Sequence, residues 1–233
     1  MHKVTLPEEL RVALRQRRGR DDVFPSWTPA RTALLVVDMQ NHFVAPGALA
    51  EVPLARGIVP NINRLAEALR RARGLVVWIR STFAPDGAQA WPMFFDNFVT
   101  SAEARAALRL ALSPGQWGHE FWPALDIRDG DLIVSKTRFS AFIQGASDLE
   151  PLLRQRGIDT VLVAGTLTNV CCESTARDAM MRDFRAIMIE DANAARSDAD
   201  HLAGLSTVVQ VFGDVVTTET ALARLTVPAA LSA

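Results

Sequence analysis

Two adjacent cysteines, Cys171 and Cys172, follow a short apolar run at 160–164 and a Gly-Thr pair. This order predicts a strand, a tight turn and a helix that begins after Asn169, so that both cysteines lie in its first turn. The N–H groups of a first helical turn have no partner within the helix, and the helix dipole favours an anion there. Such a position stabilises a thiolate nucleophile and also an oxyanion. The alternative is that two small side chains pack this helix against a sheet.

Two charged residues also follow apolar runs that are typical of buried strands. Asp38 comes after 33–37, and Lys136 comes after 131–135. The carboxyl ends of parallel strands share one edge of a sheet, so these side chains can meet the cysteines there. Asp38 can then take the thiol proton and pass it to a leaving amine, while Lys136 lowers the thiol pKa and holds the carboxylate. Taken singly, the acid is compatible with a turn cap and the lysine with a solvated charge.

Six apolar runs alternate with helical patterns along the chain. The runs lie at 33–37, 75–79, 131–135, 160–164, 185–189 and 208–212. This alternation predicts an α/β fold, a Rossmann-like three-layer sandwich with a six-stranded, mainly parallel sheet and helices on both faces. We expect an N-terminal arm at 1–28 and one domain at 29–233, with an aromatic-rich insertion at about 84–130. That insertion favours a lid, a pocket wall or a subunit interface, and the alternative is a satellite core.

Composition excludes several classes of function. The formal net charge of the 233 residues is −1, which provides no basic field for nucleic acid or an anionic membrane. The two adjacent cysteines cannot build a disulfide framework, the first twenty residues are charged throughout, and no apolar run approaches the length of a membrane span. We therefore expect a cytoplasmic protein without nucleic-acid or membrane partners.

Three segments together resemble the signature regions of the isochorismatase-like cysteine hydrolases, namely LLVVDMQNHF, VSKTRFSAF and GTLTNVCCESTARDA. The resemblance spans roughly residues 30 to 215 in the family's order. It implies Asp38 as the base, Lys136 as its partner and Cys171 as the nucleophile, with Cys172 in the core. It also implies a cis peptide between Thr166 and Leu167, and an oxyanion hole formed by the N–H groups of Leu167 and Cys171.

The same resemblance bears on metal, substrate and assembly. Nicotinamidases of this superfamily carry a metal-binding Asp-x-His set after the second strand, whereas residues 80–87 here contain no histidine, which implies no catalytic metal and no cofactor. The pattern around Cys171 is most similar to the ureidoacrylate and N-carbamoyl amidohydrolase branch, although Ser81, Phe83 and Phe139 replace the Asn, Trp and Tyr of that branch. We expect a homodimer or homotetramer that hydrolyses a small carboxamide, ureido or carbamoyl compound through a Cys171 thioester.

Substrate contacts are predicted from residues that flank the strand ends. Phe43, Trp78, Phe83 and Phe139 are expected to wall the pocket, with polar contacts from Gln40, Asn41 and Ser81. Turn formation is the alternative role for Gln40 and Asn41. The alternative functions are a hydrolase of another small amide, such as a maleamate-like compound, a non-catalytic binding protein on the same fold, and a redox pair formed by the two cysteines.

Overall fold

The computed structural model describes residues 1–84, 91–99 and 101–226. Within these residues a single sheet has the strand order β3-β2-β1-β4-β5-β6, and every neighbouring pair is parallel. The topology confirms the predicted α/β class. The strands are β1 Thr32–Val37, β2 Leu75–Ser81, β3 Leu132–Lys136, β4 Thr160–Thr166, β5 Arg185–Ala194 and β6 Asp214–Val216.

Helices cover both faces of this sheet. In the described part of the chain they are α1 Glu8–Arg18, α2 Asn41–Val44, α3 Ala55–Arg71, α4 Pro92–Asn97, α5 Ala102–Ala111, α6 Leu149–Gln155, α7 Glu173–Met181, α8 Asp198–Val211 and α9 Thr218–Thr226. Alternate residues of β1 enter two separate cores: Leu35 packs with α1, α6, α7 and α8, and Leu34 packs with α3 and α9. All six residues of β1 are buried, as expected for a central parallel strand.

The prediction of a strand at 208–212 is wrong, because that run closes α8. The Ser197 Oγ accepts the Asp200 N–H and caps the start of the helix. Val208 and Val209 then face the sheet from the helix, so their β-branched side chains are buried without forming a strand. The last strand lies a few residues later, at β6.

The arm at 1–28 packs on its own chain. Leu6 and Leu14 are buried in the core that α6, α7 and α8 share, and Trp27 is buried in the opposite core. The Asp214 carboxylate accepts the backbone N–H groups of Val23 and Phe24. The arm therefore adds apolar contacts to both faces of the sheet.

The described part of the aromatic-rich insertion includes the helices α4 and α5. Residues 85–90 and 100 of this stretch lie outside the described residues, including part of the segment 80–87 on which the metal prediction rests. No helix of the described residues is long and apolar enough to cross a membrane.

Candidate active site

The site lies where β1 and β4 are neighbours and the chain reverses its direction of winding across the sheet, which is where open α/β folds bind ligands. Asp38 follows β1 directly, in a left-handed backbone conformation with φ of 51°. Its N–H donates to the Ile79 carbonyl, and its carbonyl accepts the Thr166 hydroxyl. Gly165 permits this close packing, since a Cβ there would lie 2.1 Å from the Val37 carbonyl oxygen. These contacts hold the carboxylate at the sheet edge.

Three predicted residues meet in this crevice, although they leave different strands. The Lys136 Nζ lies 2.8 Å from the Asp38 Oδ2 and 3.6 Å from the Cys171 Sγ. Ser81 ties the ion pair together, because its hydroxyl donates to Asp38 Oδ1 and accepts from the Lys136 ammonium. Asp38 and Lys136 are almost completely buried. The arrangement places an acid, a cation and a thiol in one desolvated cluster.

The local structure around the cysteines differs from the predicted first helical turn. Thr168–Cys172 forms a π-helical turn, and α7 begins only at Glu173, so Asn169 is not the helix N-cap. The Leu167 carbonyl accepts the N–H groups of both Val170 and Cys172, which widens the turn. Cys171 lines the cavity, whereas Cys172 is fully buried in the core. Both cysteines are free thiols, and their side chains lie in different environments.

Burial decides the protonation of this cluster. It raises the pKa of the Cys171 thiol far above its usual range, and the nearby Asp38 carboxylate adds to the rise while Lys136 opposes it. Burial also disfavours the charged lysine, yet the attraction of Asp38 and Cys171 leaves the Lys136 pKa above its ordinary value. Lys136 lowers the thiol pKa as the sequence predicted, but burial and the Asp38 carboxylate outweigh it, so the net shift is opposite to the one expected at a helix start. A thiolate beside the Asp38 and Lys136 pair would leave a net negative charge out of water.

Backbone donors flank the thiol. The peptide between Thr166 and Leu167 is cis. Among the described residues the Leu167 N–H has no hydrogen-bond partner in the protein. An unpaired N–H close to a nucleophile is the kind of group that can hold an oxyanion.

A cavity of about 480 Å³ opens above Cys171. Its walls are mostly apolar, and three of the four predicted aromatic walls line it. The insertion contributes Trp91 and Phe94, whose rings contact Phe139 at 4.7 and 5.5 Å between centroids. The side chains lining it include Phe43, Ser81, Phe83, Trp91, Phe94, Leu108, Leu112 and Phe139.

Three predicted substrate contacts do not line this cavity. Trp78 is fully buried in the core, and its indole N–H donates to the Asp131 carboxylate. Gln40 is directed into the protein, where its amide pairs with the backbone of Ser81 and with the His119 carbonyl. Asn41 donates to the Trp117 carbonyl in the same way. Gln40 and Asn41 instead connect the loop after β1 to β2 and the insertion.

The structure adds cavity residues that the sequence did not reveal, namely His42, Arg138, Asn169, Arg196 and Asp200. Burial lowers the pKa of His42, so its imidazole is neutral. Arg138 lies two positions after Lys136, and this proximity to a predicted site residue could have identified it as a cavity residue. Arg196 follows the end of β5, but the sequence placed that strand end at 189, five residues too early. Within the described ranges no group of three His, Cys, Asp or Glu side chains could hold a metal ion.

Comparisons with known proteins cover the whole region that carries this site. A family model described as the Isochorismatase domain matches residues 32–220. The chain is 32% identical over 178 residues to ureidoacrylate amidohydrolase RutB of Klebsiella pneumoniae, covering 72% of this chain and 75% of that protein. A cysteine hydrolase from Pseudomonas syringae pv. phaseolicola has a TM-score of 0.78 at 34% identity, covering 88% of this chain and 96% of that chain. N-carbamoylsarcosine amidase from Thermoplasma acidophilum has a TM-score of 0.65 at 30% identity, with coverages of 81% and 97%.

Proposed function

The chain belongs to the isochorismatase family of hydrolases, and we propose that it is a metal-independent amidohydrolase with Cys171 as its nucleophile. The observation that carries the proposal is the cluster of Asp38, Lys136 and Cys171, in which Asp38 and Cys171 line one apolar cavity and Lys136 is buried beside them. A thiol with a raised pKa needs a base that acts at the moment of attack. Asp38 shares the Lys136 ammonium with that thiol, and its buried carboxylate is placed to be this base.

In the first half-reaction the thiol proton moves to the Asp38 carboxylate as the sulfur attacks the substrate carbonyl carbon. The carbonyl oxygen becomes an oxyanion, which the N–H groups of Leu167 and Cys171 stabilise. When the tetrahedral intermediate collapses, its C–N bond breaks and protonated Asp38 gives its proton to the departing nitrogen. The products of this step are an amine or ammonia and a Cys171 thioester.

Water completes the cycle in the second half-reaction. Asp38, again a carboxylate, removes a proton from the water as the oxygen attacks the thioester carbonyl. The C–S bond then breaks, and the thiolate recovers the proton from Asp38. Lys136 remains charged throughout and holds the carboxylate in place, because its ammonium contacts both Asp38 and Ser81. The net reaction consumes one water and releases an acid and ammonia from a carboxamide, or carbamate and an amine from a ureido compound.

The cavity favours a small amide that carries a flat apolar body and an acidic group. Aromatic rings form one side of the cavity, and the exposed Arg196 brings a positive charge to its lining, near Asp200, whose carboxylate accepts the Ser197 hydroxyl. Asp38 and Lys136 offset one another. The names of the two relatives above, ureidoacrylate amidohydrolase and N-carbamoylsarcosine amidase, support ureido and carbamoyl acids as the first compounds to test. A maleamate-like amide has the same combination of carboxamide and carboxylate.

Ammonia release from a panel of such amides tests the proposal. Cys171→Ala and Cys171→Ser are expected to abolish turnover while the circular dichroism spectrum is unchanged. Cys172→Ala is the matched control, because it removes the neighbouring thiol without touching the cavity, and it should retain turnover. A substrate-derived mass increase on Cys171 of the unmodified protein would identify the thioester. Continued ammonia release by pure Cys171→Ala protein would exclude the mechanism.

A further inference from the structure

The side chain of His2, near the start of the chain, is buried against the turn between β5 and α8. Its Nε2 accepts the Ala195 backbone N–H at 2.9 Å, and its Nδ1 lies 2.6 Å from the Asp198 carboxylate. A backbone N–H can only donate, so Nε2 carries no proton and Nδ1 carries the one that it donates to Asp198. The histidine therefore holds this turn at two points with one neutral tautomer.

His2 also stacks on a second buried histidine that contacts the nucleophile turn. The His2 and His201 rings lie 4.0 Å apart between centroids and are nearly parallel. The His201 Nδ1 forms a hydrogen bond with the Thr168 hydroxyl at 2.8 Å. Thr168 opens the π-helical turn that ends at the two cysteines. A continuous series of contacts thus joins the arm to the cysteine turn.

The segment that His2 holds contributes two cavity residues. Arg196 lies between Ala195 and Asp198, and Asp200 follows within the first turn of α8. Arg196 is exposed apart from its place in the cavity lining, so the backbone on either side of it must set its position. The attachment points of His2, Ala195 and Asp198, therefore lie on either side of this arginine.

We propose that His2 is a positioning residue, which fixes the segment 195–201 so that Arg196 is held at the cavity for substrate recognition. The effect of His2 on substrate binding rests on the proposed function, whereas its effect on the position of the segment 195–201 does not. His2 does not line the cavity, so its effect on the reaction passes through Arg196 and, by way of His201, through the cysteine turn.

Limited trypsin digestion tests the structural part without any substrate, because trypsin cleaves after Arg196. His2→Ala removes both hydrogen bonds to the segment, and we expect cleavage at that bond to become about tenfold faster or more. His2→Phe keeps a ring for stacking but no hydrogen bond, and should behave like His2→Ala. His2→Gln places an oxygen near the position of Nε2, and should restore much of the protection. Lys3→Ala is the matched control, since that side chain is exposed.

Steady-state kinetics test the consequence for substrate binding. We expect His2→Ala to raise KM for an acidic amide by about threefold to tenfold while kcat falls by less, since the binding residue loses its fixed position. Leu6→Val shortens a buried side chain of the same arm and should lower stability without changing KM. An unchanged trypsin rate in His2→Ala overturns the proposal, and so does an equal KM increase in Leu6→Val.

Failure of the proposed function gives a different result. If the unmodified protein cleaves no amide but the His2 variants still expose Arg196 to trypsin, the positioning role stands and the reaction assignment fails. If amide cleavage is present and the trypsin rates of His2→Ala and Lys3→Ala agree, the reaction assignment stands and His2 has no positioning role.

Discussion

Asp38→Asn tests the assignment of the base, because it should impair turnover and yet make the thiol more acidic. In the native cluster the Asp38 carboxylate raises the pKa of Cys171, and Lys136 lowers it. Asparagine has nearly the same shape as aspartate but no charge, so it removes the first effect and leaves the second. A residue that merely stabilised the fold would not produce these two opposite changes.

The distances in the structure set the expected size of the pKa change. The Lys136 Nζ lies 3.6 Å from the Cys171 Sγ. At an effective dielectric constant of about 20, two unit charges at that separation attract by about 5 kcal/mol, which corresponds to three to four pKa units. The carboxylate offsets much of this attraction in the native protein, and burial still opposes charge in the variant. We therefore expect the thiol pKa to fall by at least about one unit.

Two assays measure the two effects. Turnover of an amide substrate should fall by about a hundredfold to ten-thousandfold, the usual contribution of a general base. Alkylation of Cys171 by iodoacetamide near neutral pH should become about tenfold faster or more, because the thiolate fraction rises with each unit of pKa decrease. Peptide mass spectrometry assigns the label to Cys171, and Cys171→Ala provides the background.

Asp96→Asn is the matched control, because it makes the same chemical change at an exposed residue of α4. It should alter neither turnover nor alkylation. Circular dichroism establishes that Asp38→Asn is folded, since removing one partner of a buried ion pair destabilises a protein. Turnover within about tenfold of the unmodified protein, or slower alkylation of the folded variant, would refute the assignment of Asp38 as the base.

Three further predictions follow from other contacts. Gly165→Ala should lower the free energy of unfolding by about 3 kcal/mol or more, because the new methyl group meets the Val37 carbonyl and the φ of residue 165 is 119°. The midpoint of urea unfolding should therefore fall, and a midpoint that does not change would contradict this. Burial lowers the pKa of His201 to about 4, below its ordinary 6.5, so the unfolded state binds the proton more readily. Stability is then complete above about pH 6.5 and falls by about 3 kcal/mol as the pH drops to about 4, and His201→Gln should reduce that slope in urea titrations. Arg196→Gln should raise KM about tenfold for an acidic amide but little for a neutral amide, and equal effects on both would exclude a charge contact.

The sequence predicted correctly those features that depend on a short run of neighbouring residues. Five of the six strands lie where apolar runs predict them, because a strand buried on both faces must be apolar at nearly every position. Asp38 and Lys136 stand out for the same reason, as charged residues that terminate such runs. The three resembling segments also identified the residues that the structure brings into contact.

Protonation of the cluster was decided by the tertiary structure. A helix start and a neighbouring lysine predicted a lowered thiol pKa, whereas enclosure of Cys171 beside the Asp38 and Lys136 pair raises it. The burial of a charged group depends on every element packed around it, and a local sequence pattern does not show how those elements pack. The Ser81 hydroxyl between the two charges is a similar case, since it joins strands that are distant in sequence.

Side-chain direction and long-range contact were likewise decided only by the fold. Trp78 and Gln40 lie near the site in sequence, but the pleat of β2 and the loop after β1 direct them into the protein. His2 and Ala195 are 193 positions apart, and only packing of the arm against α8 joins them. Local apolar patterns thus determined the elements and their order, because the buried face of a strand or helix consists of apolar residues of that element itself. The charge states and the cavity walls came from tertiary packing, because each depends on groups that separate elements bring together.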